Sequence, residues 1–206
     1  MNLEDTLMSF TPDMIGMLAR ARTDLRMGVP VVLNSGNPVL MFSVETLSPQ
    51  RLADIATLNA PAVLTLTAQR AHTLKAHTYD GDIARILLPK NADARWINAL
   101  SNPADDLRTP MKGPLKCQRE GNANPHRAAI KLIKSARLLP AALVVPIGAA
   151  KDFARTNALT LLDLAAAQIH LAELSPLHTV INAALPTTVS DKGRLHVFRP
   201  ENGEEE

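Results

Sequence analysis

Cysteine occurs once in the 206 residues, at Cys117. A single thiol excludes an internal disulfide and any multi-cysteine zinc site within one chain. By itself it reads as a small hydrophobe. Aromatic residues make up only 3% of the chain, so Leu, Ala, Val and Ile must build any core. No run of about 18 apolar residues exists, so no segment is predicted to span a membrane. The opening residues carry Glu4 and Asp5 and lack the apolar stretch of a signal peptide. The expectation is a soluble, cytoplasmic protein. Charge of one sign is also missing: 22 Lys and Arg against 20 Asp and Glu leave a formal +2. No basic run interleaves with aromatics, which argues against a nucleic-acid partner. Walker, dinucleotide-fingerprint, Gly-x-Ser-x-Gly and HExxH motifs are absent, and so are internal repeats and long linkers.

What is present suffices for one large domain, or a domain with an appendage. Hydrophobic residues reach 46%, and fifteen prolines against nine glycines imply short, stiff connections. The chain is organised around Pro125 to Ile147. Ala129, Ile130, Ile133 and Ala136 recur at three and four and predict one buried helix face. Pro125 suits the first turn, and Asn124 is a candidate cap. Pro140 stops the helix. Ala142 to Val145 is an unbroken apolar run, predicted to be a strand covered on both faces.

Other elements follow from local signals. Met14, Leu18, Ala21 and Leu25 mark a helix over residues 12–27, stopped by Gly28 and Pro30. Val31 to Leu33 and Val39 to Val44 read as a hairpin. Ser48-Pro49 opens a helix to about Leu58. Pro61 to Leu66 is a strand, Thr67 caps a short helix, and Ile83 to Leu88 is a strand after the turn Asp80-Gly81-Asp82. Asn91 is a candidate cap for a helix carrying Trp96, Ile97 and Leu100. Asn102 to Pro114 reads as loop. Leu159 to Leu162 reads as a strand that Asp163 ends by capping a helix, with one continuous helix as the alternative. From Ser175 the character changes: Thr179 to Leu185 and Arg194 to Phe198 read as strands, before an acidic stretch from Glu201 to Glu206.

Several stretches resemble 3,4-dihydroxy-2-butanone 4-phosphate synthase of riboflavin biosynthesis, and more closely the domain preceding GTP cyclohydrolase II in bacterial fusion proteins. Ala21 to Leu33 resembles the family's first helix and strand. Asn102 to Leu115 resembles its Pro-Gly-His-Val loop, with Met111-Lys112-Gly113 in place of much of it. Arg119-Glu120-Gly121 resembles its Arg-Glu-Gly, His126 falls on the His of its His-Thr-Glu, and Leu138 to Ile147 matches its Leu-Pro-Ala-Ala strand. The segment from Ala184 resembles the opening of a GTP cyclohydrolase II domain, without that domain's zinc-binding cysteines. The resemblance implies an α/β (α+β) fold with a mixed sheet, helices on its faces, and a C-terminal β-hairpin that starts a missing domain. It divides the chain into residues 1–174, synthase-like, and 175–206, cyclohydrolase-like.

The departures bear on chemistry. An active synthase of this family needs magnesium, and a hard cation takes oxygen ligands, chiefly carboxylates. Where the family has its acidic Arg-Glu-x-Glu-Gly-Asp loop, this chain reads Asn34-Ser35-Gly36-Asn37-Pro38. The Glu of His-Thr-Glu becomes Ala128, and the Glu after the later strand becomes Pro146. His126 remains as a relic candidate for proton transfer, against the plainer reading of a polar residue in a helix's first turn. Lys112, Lys116 and Arg119 are candidates to meet a phosphate, against a solvated loop. His72 and His77, at i and i+5, do not share a helical face. Asp80 and Asp82 are cation candidates, against a simple turn. No metal ligand set and no cofactor is expected in this chain; magnesium belongs to an active synthase and zinc to the missing cyclohydrolase domain.

The expected function is a non-catalytic structural or regulatory domain of a riboflavin-biosynthesis protein. Its partners would be a second copy of itself and a GTP cyclohydrolase II catalytic domain, in cis or in trans. The alternative is a divergent synthase acting on ribulose 5-phosphate. A GTP- or flavin-sensing regulator has no sequence feature of its own.

Overall fold

The computed structural model describes residues 11–89, 91–172 and 177–200. They fall into two compact units, one ending at Leu171 and one starting at Ala172. The boundary expected at 174/175 and the acidic stretch 201–206 lie outside the described residues, as do Glu4 and Asp5.

The first unit begins with α1 (Met14–Arg26), capped by Asp13, whose Oδ1 accepts from the Gly16 N–H at 2.8 Å. Gly28 ends it at φ +73°, and a Cβ there would lie 2.8 Å from the Thr46 carbonyl oxygen, so glycine is required twice over. Strands β1 (Val31–Asn34) and β2 (Val39–Ser43) form the expected antiparallel hairpin. Ser48 caps α2 (Pro49–Thr57), β3 is Val63–Thr67, and Thr67 caps α3 (Ala68–Thr73). Then come β4 (Ile83–Leu87), α4 (Ala94–Ser101), a 3-10 turn at Pro103–Asp105, α5 (Asn124–Ser135), β5 (Ala141–Pro146), α6 (Ala150–Thr156), β6 (Leu161–Asp163) and α7 (Leu164–Ala172).

Six strands form one mixed sheet in the order β4-β3-β5-β2-β1-β6. Only β1 and β6 pair parallel; β5 runs antiparallel to both β2 and β3. The unbroken apolar run of β5 therefore reflects helices on both faces of the sheet. Ala142 and Val144 face a core built with α1, α5 and α7, while Ala141, Leu143 and Val145 face one built with α2, α4 and α6. Branched aliphatics and alanine fill both layers, as the scarcity of aromatics requires.

Two local expectations are corrected, and one helix was not foreseen. The cap of α4 is Asp93, which accepts from the Trp96 N–H at 2.7 Å, two residues beyond Asn91. Asn124 lies inside α5; Asn122 Oδ1 accepts its N–H at 2.9 Å and does the capping from outside. Helix α6 had no sequence signal, because Ala149 before it offers no side-chain cap and the helix has only seven residues. Asp163 does separate β6 from α7, accepting from the Ala166 N–H.

The second unit is a β-hairpin of β7 (Leu177–Ala184) and β8 (Arg194–Pro200), antiparallel with a register shift between Thr179 and Ile181. At its neck a Cβ on Gly193 would lie 2.2 Å from the Leu185 carbonyl oxygen, so only glycine permits the pairing.

Candidate functional site

The first turn of α5 carries Pro125 and His126 to the end of the sheet where β5 finishes and β3 begins. Pro125 gives up an N–H that a first turn leaves unbonded anyway. His126 is 8% exposed, and its Nδ1 lies 2.7 Å from the Thr65 hydroxyl on β3. Burial pushes its imidazole down to about 4, the positive charge of Arg85 adds to the shift, and Asp80 opposes it. At neutral pH the ring is neutral.

Arg85 sits beside Thr65 on β4, the two being direct cross-strand partners. It is 1% exposed. Asp80 holds it through two hydrogen bonds, Nε to Oδ2 at 2.7 Å and Nη2 to Oδ1 at 3.0 Å. Its Nη1 donates to the Glu120 carbonyl at 2.9 Å. Gly121, at φ +88°, brings the following chain against the guanidinium: a Cβ there would lie 3.7 Å from Arg85 Nη1. Asp82 across the same turn pairs with Arg127 of α5, whose Nη2 also donates to the Asp80 carbonyl. The Arg127 hydrogen bond lowers the Asp82 carboxyl below its ordinary range. Asp80-Gly81-Asp82 thus spends both carboxylates on arginines and uses Gly81 at φ +84° as a turn.

These groups border a pocket of about 380 Å³. Its polar lining is Asn37, Arg85, Gln118, Asn122 and His126, and most of the remainder is proline and branched aliphatic. A second hollow beside it holds Asn34, Ser35 and Asn122 together with Asp163, whose carboxylate caps α7. Among the described residues no three His, Cys, Asp or Glu side chains come together as a metal-holding group. Carboxamides, one imidazole and an arginine do not fit a magnesium ion, which takes carboxylate oxygens and keeps a near-octahedral shell.

The three basic phosphate candidates differ in their surroundings: Lys112 is buried, and Lys116 and Arg119 are exposed. Lys112 is 8% exposed and its ammonium pairs with Asp106. Asp106 is also gripped by Arg70, through Nη1 at 2.6 Å and Nη2 at 2.7 Å. Arg70 further donates to the carbonyls of Leu100, Ala99 and Asn102. The two cations hold the Asp106 carboxyl well below the usual carboxylate range, Arg70 contributing most. This knot pins the 102–114 loop over a cleft of about 490 Å³. Lys116 is exposed, and its carbonyl accepts from the Leu87 N–H. Arg119 is exposed and stacks over the Tyr79 ring at 4.8 Å. Cys117 is half-buried and burial pushes its thiol up, the behaviour of an unreactive thiol.

Sequence reasoning placed His126, singled out Asp80 as a cation candidate or turn residue and not as the partner of an arginine, and missed Arg85, Thr65, Gln118 and Asn122. One signal was available. An arginine inside the otherwise apolar strand Ile-Ala-Arg-Ile-Leu requires a buried counter-charge, and Asp80 lies five residues upstream.

No protein-family model matches the chain. A curated relative, GTP cyclohydrolase-2 of Azospirillum brasilense, is 29% identical over 196 residues, covering 89% of this chain and 50% of that protein. The chain thus spans about half the length of the curated relative it matches. Among solved structures, a two-domain 3,4-dihydroxy-2-butanone 4-phosphate synthase from A. baumannii aligns with a TM-score of 0.58 at 15% identity, over 89% of this chain and 66% of that one. The cation-free form of a 3,4-dihydroxy-2-butanone 4-phosphate synthase aligns at 0.54 and 14%, over 75% of this chain and 96% of that one. The synthase of Candida albicans aligns at 0.53 and 13%, over 80% and 99%. The first unit's mixed sheet with helices on both faces is the synthase fold, and the sequence resembles a synthase-like domain of a GTP cyclohydrolase II fusion protein.

Proposed function

We propose that this chain is a non-catalytic, structural or regulatory domain of a riboflavin-biosynthesis protein of the GTP cyclohydrolase II type. Residues 1–174 would be the degenerate synthase-like part and 175–206 the opening segment of a cyclohydrolase-like domain. It would work in the cytoplasm as a homodimer beside a cyclohydrolase catalytic domain, in the same polypeptide or supplied separately. The observation that carries this reading is the lining of the His126 pocket, where carboxamides and aliphatics stand and Asp80 is tied to Arg85. Abstracting a proton next to a carbonyl needs a base poised near neutral pH. His126 is held far below that, and its hydrogen-bond partner is a hydroxyl. Lys112 has its ammonium engaged, which leaves Lys116 and Arg119 as the basic groups able to meet a phosphate.

The test is a formate assay with ribulose 5-phosphate and magnesium, run beside a competent synthase. No formate above background is expected. Turnover that disappears in His126→Ala would overturn the reading in favour of a divergent synthase that keeps this pocket. Zinc-dependent formate release from GTP is likewise expected to be absent, because a tetrahedral zinc site takes several thiolate or imidazole ligands and Cys117 is the lone cysteine.

A further inference from the structure

We propose that the His126 pocket binds a neutral, planar heterocycle with lactam or imide edges, without a metal ion. The inference rests on the non-catalytic reading and gives that reading a ligand class.

Charge balance is the first argument. Arg85 is the pocket's cation, and Asp80 cancels it through a two-point contact at 2.7 and 3.0 Å. An anionic ligand would have to compete with that carboxylate. A cationic one would meet the guanidinium with no carboxylate in the lining. A neutral molecule meets neither obstacle.

Unclaimed hydrogen-bonding capacity is the second. Gln118 Nε2 donates to the Glu120 carbonyl, which leaves its Oε1 as an acceptor. Asn122 Oδ1 accepts from the Asn124 N–H, which leaves its Nδ2 as a donor. His126 is buried and bonds through Nδ1, so Nε2 is its remaining polar atom, and Asn37 adds a further carboxamide. Asn37 and Asn122 are exposed and Gln118 is half-buried, so water can serve these groups, and a ligand offering alternating N–H and C=O groups would replace it bond for bond. That alternation is the edge of a lactam or an imide.

Wall shape is the third. Pro38, Pro61, Val63, Leu87, Val144 and Pro146 supply rigid apolar surface. Against such walls a polyol would strand hydroxyl groups, whereas a flat ring buries its faces and keeps its edge for the amides. About 380 Å³ lies within the usual size of small-molecule pockets, roughly 300–1,000 Å³.

The probes are uracil, hypoxanthine and lumichrome, with inorganic phosphate and ribulose 5-phosphate as comparators. Binding is followed by NMR on the intact chain, with the His126 imidazole resonances marking the site, in magnesium and in EDTA. At least one heterocycle is expected to shift His126 equally in both buffers. Gln118→Leu, a half-buried position whose replacement keeps the volume, is expected to weaken that binding about tenfold, as one lost hydrogen bond does. The proposal is overturned if no heterocycle moves His126. It is equally overturned if Gln118→Leu binds as well as the parent, or if only phosphate or ribulose 5-phosphate produces the shift. Formate is measured in the same samples. Formate production would overturn the non-catalytic reading whatever the binding result, and absence of binding without formate overturns only this inference.

Discussion

Two buried arginines divide this molecule. Arg70 and Arg85 are each held by an aspartate and by backbone carbonyls, yet they serve different ends. Arg70 has contacts from all three guanidinium nitrogens to four carbonyl or carboxylate groups, and Asp106 brings Lys112 into the same knot. Nε and Nη2 of Arg70 are fully engaged and Asp106 accepts from both cations, so the cluster anchors a loop. Arg85 makes three bonds of its five possible N–H donations and borders a pocket with other unfinished polar groups. A buried charge by itself therefore says little about function. What distinguishes a binding pocket from a structural clamp is the donor and acceptor capacity that remains after the protein's own partners are counted.

The largest expected effect tests the two clamps against each other. Asp80→Ala strands Arg85, which is 1% exposed, and should cost about 3–5 kcal/mol in urea denaturation. Asp106→Ala strands Arg70 and Lys112 but opens a side chain that is 30% exposed, so about 2–3 kcal/mol is expected. Equal losses would show that burial does not set the difference between them.

Next comes the packing beneath the pocket. Ile133→Ala on α5 should cost about 3 kcal/mol and Val144→Ala on β5 about 2 kcal/mol, since both are fully buried. An unchanged denaturation midpoint for either would mean that the helix–strand unit does not support the pocket as described.

A smaller effect separates the regions by pH. The folded His126 value of about 4 lies below the ordinary value of 6.5. The unfolded chain therefore binds the proton more readily, and stability is full above pH 6.5 and declines as pH falls toward 4. About 2 kcal/mol should be lost by pH 5. His126→Gln should flatten that decline. Asp106, with its depressed carboxyl, acts in the same direction only at lower pH, below the ordinary carboxylate value of 3.8. A decline that persists unchanged in His126→Gln would remove His126 as its source.

The smallest effects belong to the exposed cations. Arg119→Ala should cost about 0.5 kcal/mol through its lost stacking on Tyr79. Lys116→Ala should fall within about 0.5 kcal/mol of the parent. A larger thermal shift from either would reveal a structural part that their exposure does not suggest.

Local sequence determined most elements of this fold, because their signals need no distant partner. Ser48-Pro49, Thr67, Asp163 and the Gly28-Pro30 stop act through hydrogen bonds or backbone limits within a few residues. The apolar period of α5 and the run of β5 announced their burial for the same reason. Where the local signal was weak or doubled, the reading slipped: α6 lacks a cap, and Asn91 competed with Asp93. Only the tertiary structure decided the site. Lys112 looked like a free loop cation until Asp106 and Arg70 were brought to it. His126 met its partner Thr65 from 61 positions away, and Arg85 met the Glu120 carbonyl from 35 positions away. Such pairings follow from which strands lie side by side. Sheet order is set by the summed burial of two helical layers, and no single stretch of the chain contains it.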